Sequence, residues 1–217
     1  LSTADLVSVA EGFTTSGINA ALEAGASLSG SVTRASDGAP IPDVYVGCMT
    51  AVTQDWVGYS YTKTDGSYTI ANLPAGSYVL YFSHPNYVFE YYQDQSNWSE
   101  ATPLVVDFGD ALTGLDAQLN QGGKISGRVT SEYNGEPLPD VQIMALDDAG
   151  IGRYAGTTDA SGNFLSEPLP PGAYRIRYYP EGSGFTAEHI LEWYKDQPTQ
   201  STADYIQVFE GLTTGGL

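Results

Sequence analysis

Residues able to perform acid–base, nucleophilic or metal chemistry are few, and their spacing fits none of the common sites. His84 and His189 are the two histidines of the 217-residue chain, and neither lies in a His-Glu-x-x-His arrangement. The single cysteine, Cys48, excludes an internal disulfide, and no Gly-x-Ser-x-Gly motif is present. We therefore predict no catalytic residues, no cofactor and no metal site, and a protein that is not an enzyme.

Aromatic side chains are concentrated in residues 84–100 and in a matching segment near residue 193. Exposed rings of this kind could stack on sugar rings, or they could pack over the end of a domain or against the next one. We favour packing and keep sugar binding as the alternative. Asn97-Trp98-Ser99 is also an N-glycosylation sequon, so Asn97 is a glycosylation candidate. The possible ligand-binding aromatics are Tyr87, Tyr91, Tyr92, Trp98, Trp193 and Tyr194.

The elements that position these residues belong to a long internal repeat. Residues 40–44 match residues 137–141 at an offset of 97, and residues 73–78 match residues 169–174 at an offset of 96. A period near one hundred residues is too long for a solenoid and indicates tandem domains. We predict a first sandwich over 25–121 and a second over 122–217, preceded by residues 1–24 as the terminal strands of another module or a donor segment.

Short alternating segments between turn residues predict strands throughout. Leu28, Gly30 and Val32 alternate with serines, and Thr64-Asp65-Gly66 is typical of a hairpin turn. Residues 84–100 are predicted to form a long loop. With no convincing long helix, the pattern predicts an all-β fold of two tandem seven-stranded antiparallel β-sandwiches, Ig-like or prealbumin-like. Acidic turns such as residues 159–163 offer calcium-type oxygen ligands, but we interpret them as solvated turn residues.

The second repeat lacks a counterpart of residues 116–119, which would form its last strand. A closing strand contributes on the order of 5–8 kcal/mol through side-chain burial and ladder hydrogen bonds. Because this is comparable to the whole stability of a domain, we predict that the strand is supplied from outside. The source is either the continuation of a longer array or residues 17–22 of another copy in trans. The predicted donor residues are Ile18, Ala20 and Leu22, which share one face of an extended segment.

Three patterns recur in both repeats: Gly-x-Pro-[Ile/Leu]-Pro-Asp-Val, Thr-Asp…Gly-x-[Tyr/Phe] and Leu-Pro-x-Gly-x-Tyr. Together they resemble the carboxypeptidase regulatory-like repeats, which have a transthyretin-like (prealbumin-like) sandwich fold, and they are similar to the B-type repeats of collagen adhesins. The resemblance implies a spacer, an adhesin stalk or an enzyme appendage. Some adhesin relatives carry a Lys–Asn isopeptide bond. Lys124 occupies the lysine position, but Ser27 replaces it in the first repeat and the glutamate is missing, so we expect no such bond.

Charge and composition restrict the partners. A net charge of −18 argues against nucleic acid and anionic membranes as partners. The sequence contains no run of eighteen apolar residues, the length needed to span a membrane. We predict an extracellular or cell-surface location, with neighbouring copies or further repeats of the same array as partners and surface glycans as a second class. The predicted function is a non-catalytic structural module of a tandem-repeat stalk or head-to-tail filament with strand complementation. The alternative is a carbohydrate-binding or adhesive module that uses its aromatic loops.

Overall fold

The computed structural model describes residues 6–180 and 190–216, and its regular structure is almost entirely β-strand. Two single-turn 3-10 helices, Trp98–Glu100 and Gln200–Thr202, are the exceptions among these residues. The strands of the first half are β1 (Ala26–Arg34), β2 (Tyr45–Thr50), β3 (Trp56–Tyr61), β4 (Ser67–Leu73), β5 (Gly76–His84), β6 (Tyr87–Tyr91), β7 (Leu104–Val106), β8 (Ala111–Leu112) and β9 (Ala117–Leu119). Those of the second half are β10 (Lys124–Arg128), β11 (Gln142–Leu146), β12 (Gly152–Thr157), β13 (Asn163–Leu165), β14 (Gly172–Tyr179), β15 (Glu192–Trp193), β16 (Ile206–Val208) and β17 (Thr213–Thr214).

Each half forms two sheets around its own apolar core. In the first half one sheet has the order β4-β1-β8, with β9 also paired to β1, and the other has the order β3-β2-β5-β6, with β7 paired to β5. The second half repeats this plan as β13-β10-β17 and β12-β11-β14-β15, with β16 paired to β14. Alternation of apolar residues along these strands fills the space between the sheets. The predicted all-β sandwich fold is thereby confirmed. Cys48 lies fully buried in the first core, where burial raises the pKa of its thiol to about 12.

The sheets differ from the prediction in two respects. Residues 87–91 form β6, antiparallel to β5, instead of part of a loop. Both faces of β6 are covered in places, so its sequence lacks the simple alternation that reveals a half-exposed strand. In addition, β8, β9 and β17 run parallel to the strands they pair with, so the sheets are mixed and each half contains more short strands than the seven expected.

The N-terminal segment also departs from the prediction. Terminal strands were expected within residues 1–24, but residues 6–25 form no strand, and residues 1–5 lie outside the described part of the chain. Local contacts such as the hydrogen bond from the Thr15 hydroxyl to the Ser8 carbonyl (3.1 Å) are present instead. A strand requires a neighbouring edge to satisfy its backbone groups, and this segment lies against none.

Side-chain hydrogen bonds explain why the repeated motifs occur together. In the first half the Thr62 hydroxyl donates to the Ile41 carbonyl (2.6 Å) and accepts from the Val44 amide (2.9 Å), so it joins the Pro-Ile-Pro-Asp-Val turn to the end of β3. Thr158 makes the corresponding bonds in the second half, at 2.7 and 2.9 Å. Both threonines are buried, so their hydroxyl groups are shielded from water and need these hydrogen bonds.

The Leu-Pro-x-Gly-x-Tyr motif has a similar basis. The Tyr78 hydroxyl donates to the Pro74 carbonyl at 2.8 Å, four residues earlier, and Tyr174 bonds to Pro170 at the same distance. In each half the tyrosine ring fills the core. Its hydroxyl bonds the turn before the strand to the strand itself: the β4–β5 turn in the first half and the turn before β14 in the second. The motif therefore needs a tyrosine at this spacing and not a phenylalanine.

The Thr62→Val substitution tests the role of the buried hydroxyl. It leaves the Ile41 carbonyl and the Val44 amide without this partner, so we expect the free energy of unfolding to fall by about 1–3 kcal/mol. Urea unfolding followed by circular dichroism measures the change. The control is Thr69→Val, because Thr69 is exposed on β4, and we expect little effect there. Equal effects of the two substitutions would contradict the assignment.

Candidate functional site

The last strand of the first sandwich, β9, closes the core beside β1. It runs parallel to the end of β1, and the Ala35 amide donates to the Leu119 carbonyl at 3.0 Å. It also lies against β6, where the Val88 amide donates to the Asn120 carbonyl at 2.9 Å. The inward side chains of this segment are all buried, and Leu119 is 0% exposed. These inward residues are Leu115, Ala117 and Leu119.

The second sandwich has an open groove at the position that β9 occupies in the first. The groove has a volume of about 530 Å³ and lies between residues 128–133, after β10, and residues 190–196, around β15. Val129 and Tyr178 on its floor are only partly buried, whereas their counterparts Val32 and Phe82 are fully buried. Within residues 6–180 and 190–216, no segment takes the place of β9 in this half. We call this the strand groove.

The predicted donor residues lie outside both cores. Ile18 is 65% exposed and Leu22 is 92% exposed, and Ala20 between them is exposed as well. The repeat offset of 97 aligns these three residues with the buried inward residues of the β9 segment. The chain therefore contains one segment of this type buried in a sandwich and a second that is solvent-exposed.

A cluster of aromatic rings covers the outer surface of the β3-β2-β5 sheet, and none of its residues is among the predicted ligand-binding aromatics. The Tyr45 ring centroid lies 5.4 Å from those of Tyr59 and Tyr61, 5.6 Å from that of Tyr81 and 6.2 Å from that of Trp56. Trp56, Tyr59 and Tyr61 are 58%, 63% and 55% exposed. We call these five residues the aromatic face. The sequence signals for this face are the i, i+2 spacing of Tyr59 and Tyr61 and the outward position of Tyr81 on its strand.

Gly47 makes the close packing of this face possible. A β-carbon at this position would lie 2.3 Å from the Tyr81 ring and 2.8 Å from the Trp56 ring. The two rings therefore lie directly over the backbone of β2, in an edge-on contact with centroids 5.5 Å apart. Edge-on pairs are the geometry that aromatic quadrupoles favour.

The ring cluster continues from the aromatic face into a cleft between the two halves. Tyr81 contacts Tyr91 at 6.3 Å between centroids, and Tyr91 contacts Trp98 at 5.7 Å. The cleft has a volume of about 530 Å³, and Arg153 and Glu167 of the second half contribute to its wall. Concave sites with aromatic walls and a few polar groups are typical ligand-binding positions.

A comparison with protein families identifies the chain. The carboxypeptidase regulatory-like domain matches residues 27–109 and again residues 124–203, which together make up most of the sequence. The chain belongs to the carboxypeptidase regulatory-like domain family. The resemblance predicted from the three repeated motifs is therefore confirmed.

The chain is similar to a curated staphylococcal protein and to solved bacterial pilins. Serine-aspartate repeat-containing protein D of Staphylococcus aureus is 26% identical over 181 residues, which cover 76% of this chain and 13% of the relative. A streptococcal ancillary pilin is 10% identical with a TM-score of 0.40, covering 88% of this chain and 61% of the pilin. A minor pilin of Streptococcus agalactiae is 13% identical with a TM-score of 0.34, covering 88% and 93%.

The family assignment agrees with the predicted location outside the cell or on its surface, and with a chain that is not an enzyme. Among the described residues, no helix has the length and apolar character needed to span a bilayer. The chain spans 13% of the length of the staphylococcal relative, so the comparison concerns one part of that protein.

The six aromatic residues singled out in the sequence occupy different environments. Tyr91 and Trp98 belong to the ring cluster beside the aromatic face. Of the other four, Tyr87 and Trp193 are buried, Tyr92 packs against the first core and Tyr194 packs against the second. Asn97 is exposed at the rim of the cleft, where an attached glycan would meet solvent.

The remaining polar candidates have structural roles. The Nδ1 atom of His84 accepts a hydrogen bond from the Asn86 amide at 3.2 Å, and burial lowers the pKa of this histidine. Asp159 accepts from the amides of Ser161 and Asn163, and these bonds lower its pKa. His189 lies outside the described residues. In the part of the chain that the structure describes, no group of His, Cys, Asp and Glu is arranged to hold a metal ion.

Glu90 is a buried carboxyl on β6, opposite Phe82 of β5. Burial, with a smaller effect of Asp94, raises its pKa to about 8. Its Oε1 atom has no hydrogen-bond partner among the described residues. The folded state therefore holds this proton more tightly than the unfolded chain does.

The raised pKa of Glu90 predicts a pH-dependent stability. Between roughly pH 4.5 and 8 the folded state binds more protons than the unfolded state, so the free energy of unfolding falls as pH rises through this window. We expect Glu90→Gln to reduce this slope, and urea unfolding at several pH values measures it. Glu136→Gln, at an exposed carboxyl, is the control. An unchanged slope in Glu90→Gln would show that this carboxyl is not responsible.

Replacing Gly47 by alanine tests how the aromatic face is built. The added β-carbon displaces the Tyr81 and Trp56 rings, so we expect a weaker near-ultraviolet circular dichroism signal and a loss of roughly 1–3 kcal/mol in the free energy of unfolding. Gly172→Ala is the control, because a β-carbon there makes only an ordinary contact of 3.7 Å with the Tyr174 ring. A wild-type aromatic signal in Gly47→Ala would contradict the described packing.

Proposed function

We propose that this chain is a structural unit of a stalk or filament in which each open sandwich is closed by a β-strand from its neighbour. The contrast between two equivalent leucines carries the proposal: Leu119 is 0% exposed in the first sandwich, and Leu22 is 92% exposed in the N-terminal segment. The strand groove of the second sandwich lies where such a leucine would be buried.

The energetics favour occupation of the strand groove. Burial of an exposed leucine or isoleucine side chain contributes about 1.5–3 kcal/mol, and each new backbone hydrogen bond adds about 0.5–1.5 kcal/mol. An uncovered sheet edge also exposes backbone groups that can pair nonspecifically with other chains. A cognate strand prevents this by occupying the edge. Val129 and Tyr178, which are partly buried in the open groove, would become fully covered like their counterparts in the first sandwich.

The junction between the sandwiches supports a mechanical role. The Gly122 amide donates to the Asn86 carbonyl of the first half at 3.1 Å, and the Gly123 amide donates to the Leu169 carbonyl of the second half at 2.9 Å. A β-carbon at Gly122 would lie 2.5 Å from Pro168, so the chain passes close to the second sandwich at this point. A junction bonded on both sides transmits force from one module to the next.

Two sources of the strand are compatible with this proposal. A following repeat of the same polypeptide would give a covalent array, and residues 17–22 of a second copy would give a head-to-tail filament. Residues 2–5 recur as residues 201–204 at an offset of 199, which is the spacing of a two-module period.

A peptide rescue experiment tests strand complementation. The full chain carrying Ile18→Asp and Leu22→Asp cannot donate its own segment, because both apolar anchors are charged. A synthetic peptide with the sequence of residues 15–24 should stabilise the second sandwich of this variant by about 2.7 kcal/mol at a hundredfold excess over Kd. The control is the same peptide with aspartate at both positions. Absence of stabilisation by the wild-type peptide, or equal effects of the two peptides, would contradict the proposal.

A second variant distinguishes the two sources. Appending residues 116–121 after Leu217 offers the strand groove a closing strand within the same polypeptide. If copies donate strands in trans, the wild-type chain forms concentration-dependent oligomers in sedimentation velocity, and the extended variant remains monomeric. If the wild-type chain is monomeric at all concentrations while the wild-type peptide still stabilises the aspartate variant, the strand comes from a following repeat.

A further inference from the structure

We propose that the aromatic face of the first sandwich binds an uncharged polysaccharide, with pyranose rings stacked on Trp56, Tyr59 and Tyr61. The aromatic face belongs to the first sandwich and the strand groove to the second. Polysaccharide binding therefore does not depend on whether a following repeat or another copy closes the second sandwich.

The fold does not require the aromatic face. At the repeat offsets, Tyr45 corresponds to Gln142 and Tyr81 corresponds to Arg177. The two members of each pair occupy the same place in the sheet register. Tyr45 lies opposite Tyr61 and Ser83. Gln142 lies opposite Thr157 and Tyr179, at the corresponding positions of the second sandwich. The second sandwich thus forms the same sheet with polar and charged side chains at these positions.

The rings are held in place before any ligand arrives. Tyr45 contacts every other ring of the aromatic face, and its contact with Tyr59 is stacked, with 16° between the ring planes. The edge-on contact between Trp56 and Tyr81 over Gly47 adds a second constraint. Rigid aromatic side chains lose little conformational entropy on binding, so an array of this kind is suited to a recognition surface.

Charge identifies the class of ligand. Strands β2, β3 and β5, which form this surface, contain no Asp, Glu, Lys or Arg. The whole chain carries a net charge of −18, which repels polyanions. The Tyr81 hydroxyl, whose pKa burial raises to about 12, is protonated and able to donate at neutral pH, as an ordinary phenol also is. Neutral sugars present apolar C–H faces together with hydroxyl groups, and they match a surface of rings and phenol hydroxyls.

The length of the ring cluster indicates a chain of sugars and not a single residue. From Trp56 the contacts run through Tyr81 and Tyr91 to Trp98, with successive centroids 5.5, 6.3 and 5.7 Å apart. The cluster ends in the cleft of about 530 Å³, where Arg153 and Glu167 offer polar contacts. A polysaccharide that stacks on Trp56, Tyr59 and Tyr61 would extend along this path and form hydrogen bonds in the cleft.

Affinity electrophoresis of the full chain tests the proposal. The gels contain hydroxyethyl cellulose, laminarin or dextran as neutral polysaccharides and alginate as a polyanion. We expect retardation by at least one neutral polysaccharide and none by alginate. Trp56→Ala and Tyr59→Ala should each weaken that retardation at least tenfold. Tyr205→Ala is the control, because Tyr205 is an exposed ring of the second sandwich that belongs neither to the aromatic face nor to the lining of the cleft.

Several results would overturn the proposal. Migration unaffected by all three neutral polysaccharides would do so, as would retardation by alginate alone or retention of full binding in the Trp56→Ala, Tyr59→Ala double variant. Self-association of the wild-type chain that disappears in Trp56→Ala, without polysaccharide binding, would assign the aromatic face to a second copy instead. Tyr59→Phe keeps the ring and must retain most of the binding, and thermal unfolding of each variant confirms that the sandwich is intact.

Discussion

The closing strand beside β1 is the constraint on which the architecture depends. β1 pairs with β4 on one edge, and its other edge is covered by β8 and β9, whose segment carries Leu115 and Leu119 into the core. Where this strand is present, the core residues Val32 and Phe82 are fully buried, and where its position is open, Val129 and Tyr178 are not. We propose that a neighbouring segment completes the second module, and completion of this kind would join repeats into a polymer.

The two halves share a core design and differ in their surfaces. The buried threonine and the tyrosine tied to the preceding turn occur in both, because they hold the same turns in the same places. The outer surface of the second sheet carries rings in the first half, but in the second Arg175 lies over Tyr205 and Arg177 over Tyr179. The shared interactions account for the sandwich, and the differing surface is where a function specific to one module can reside.

Much of the fold could be predicted from the sequence, because its signals are local. The recurrent motifs mark turns whose hydrogen bonds require particular residue types, and the alternation of Leu115, Ala117 and Leu119 marks an inward face. The aromatic face could not be predicted in this way, since Tyr45, Tyr61 and Tyr81 meet only through the pairing of three strands. The N-terminal strands were predicted from alternation that is present, but a strand also needs an edge, and residues 6–25 have none here.

Backbone hydrogen exchange followed by NMR measures closure of the strand groove most directly. In the first sandwich the Ala35 amide is bonded to the Leu119 carbonyl and should exchange slowly. Its counterpart in the second is the amide of Glu132, beside the open groove. Closure by a strand predicts fast exchange at Glu132 when the groove is open and protection similar to that of Ala35 once a strand segment is supplied. Exchange at Glu132 that is equally slow with and without the strand would contradict it.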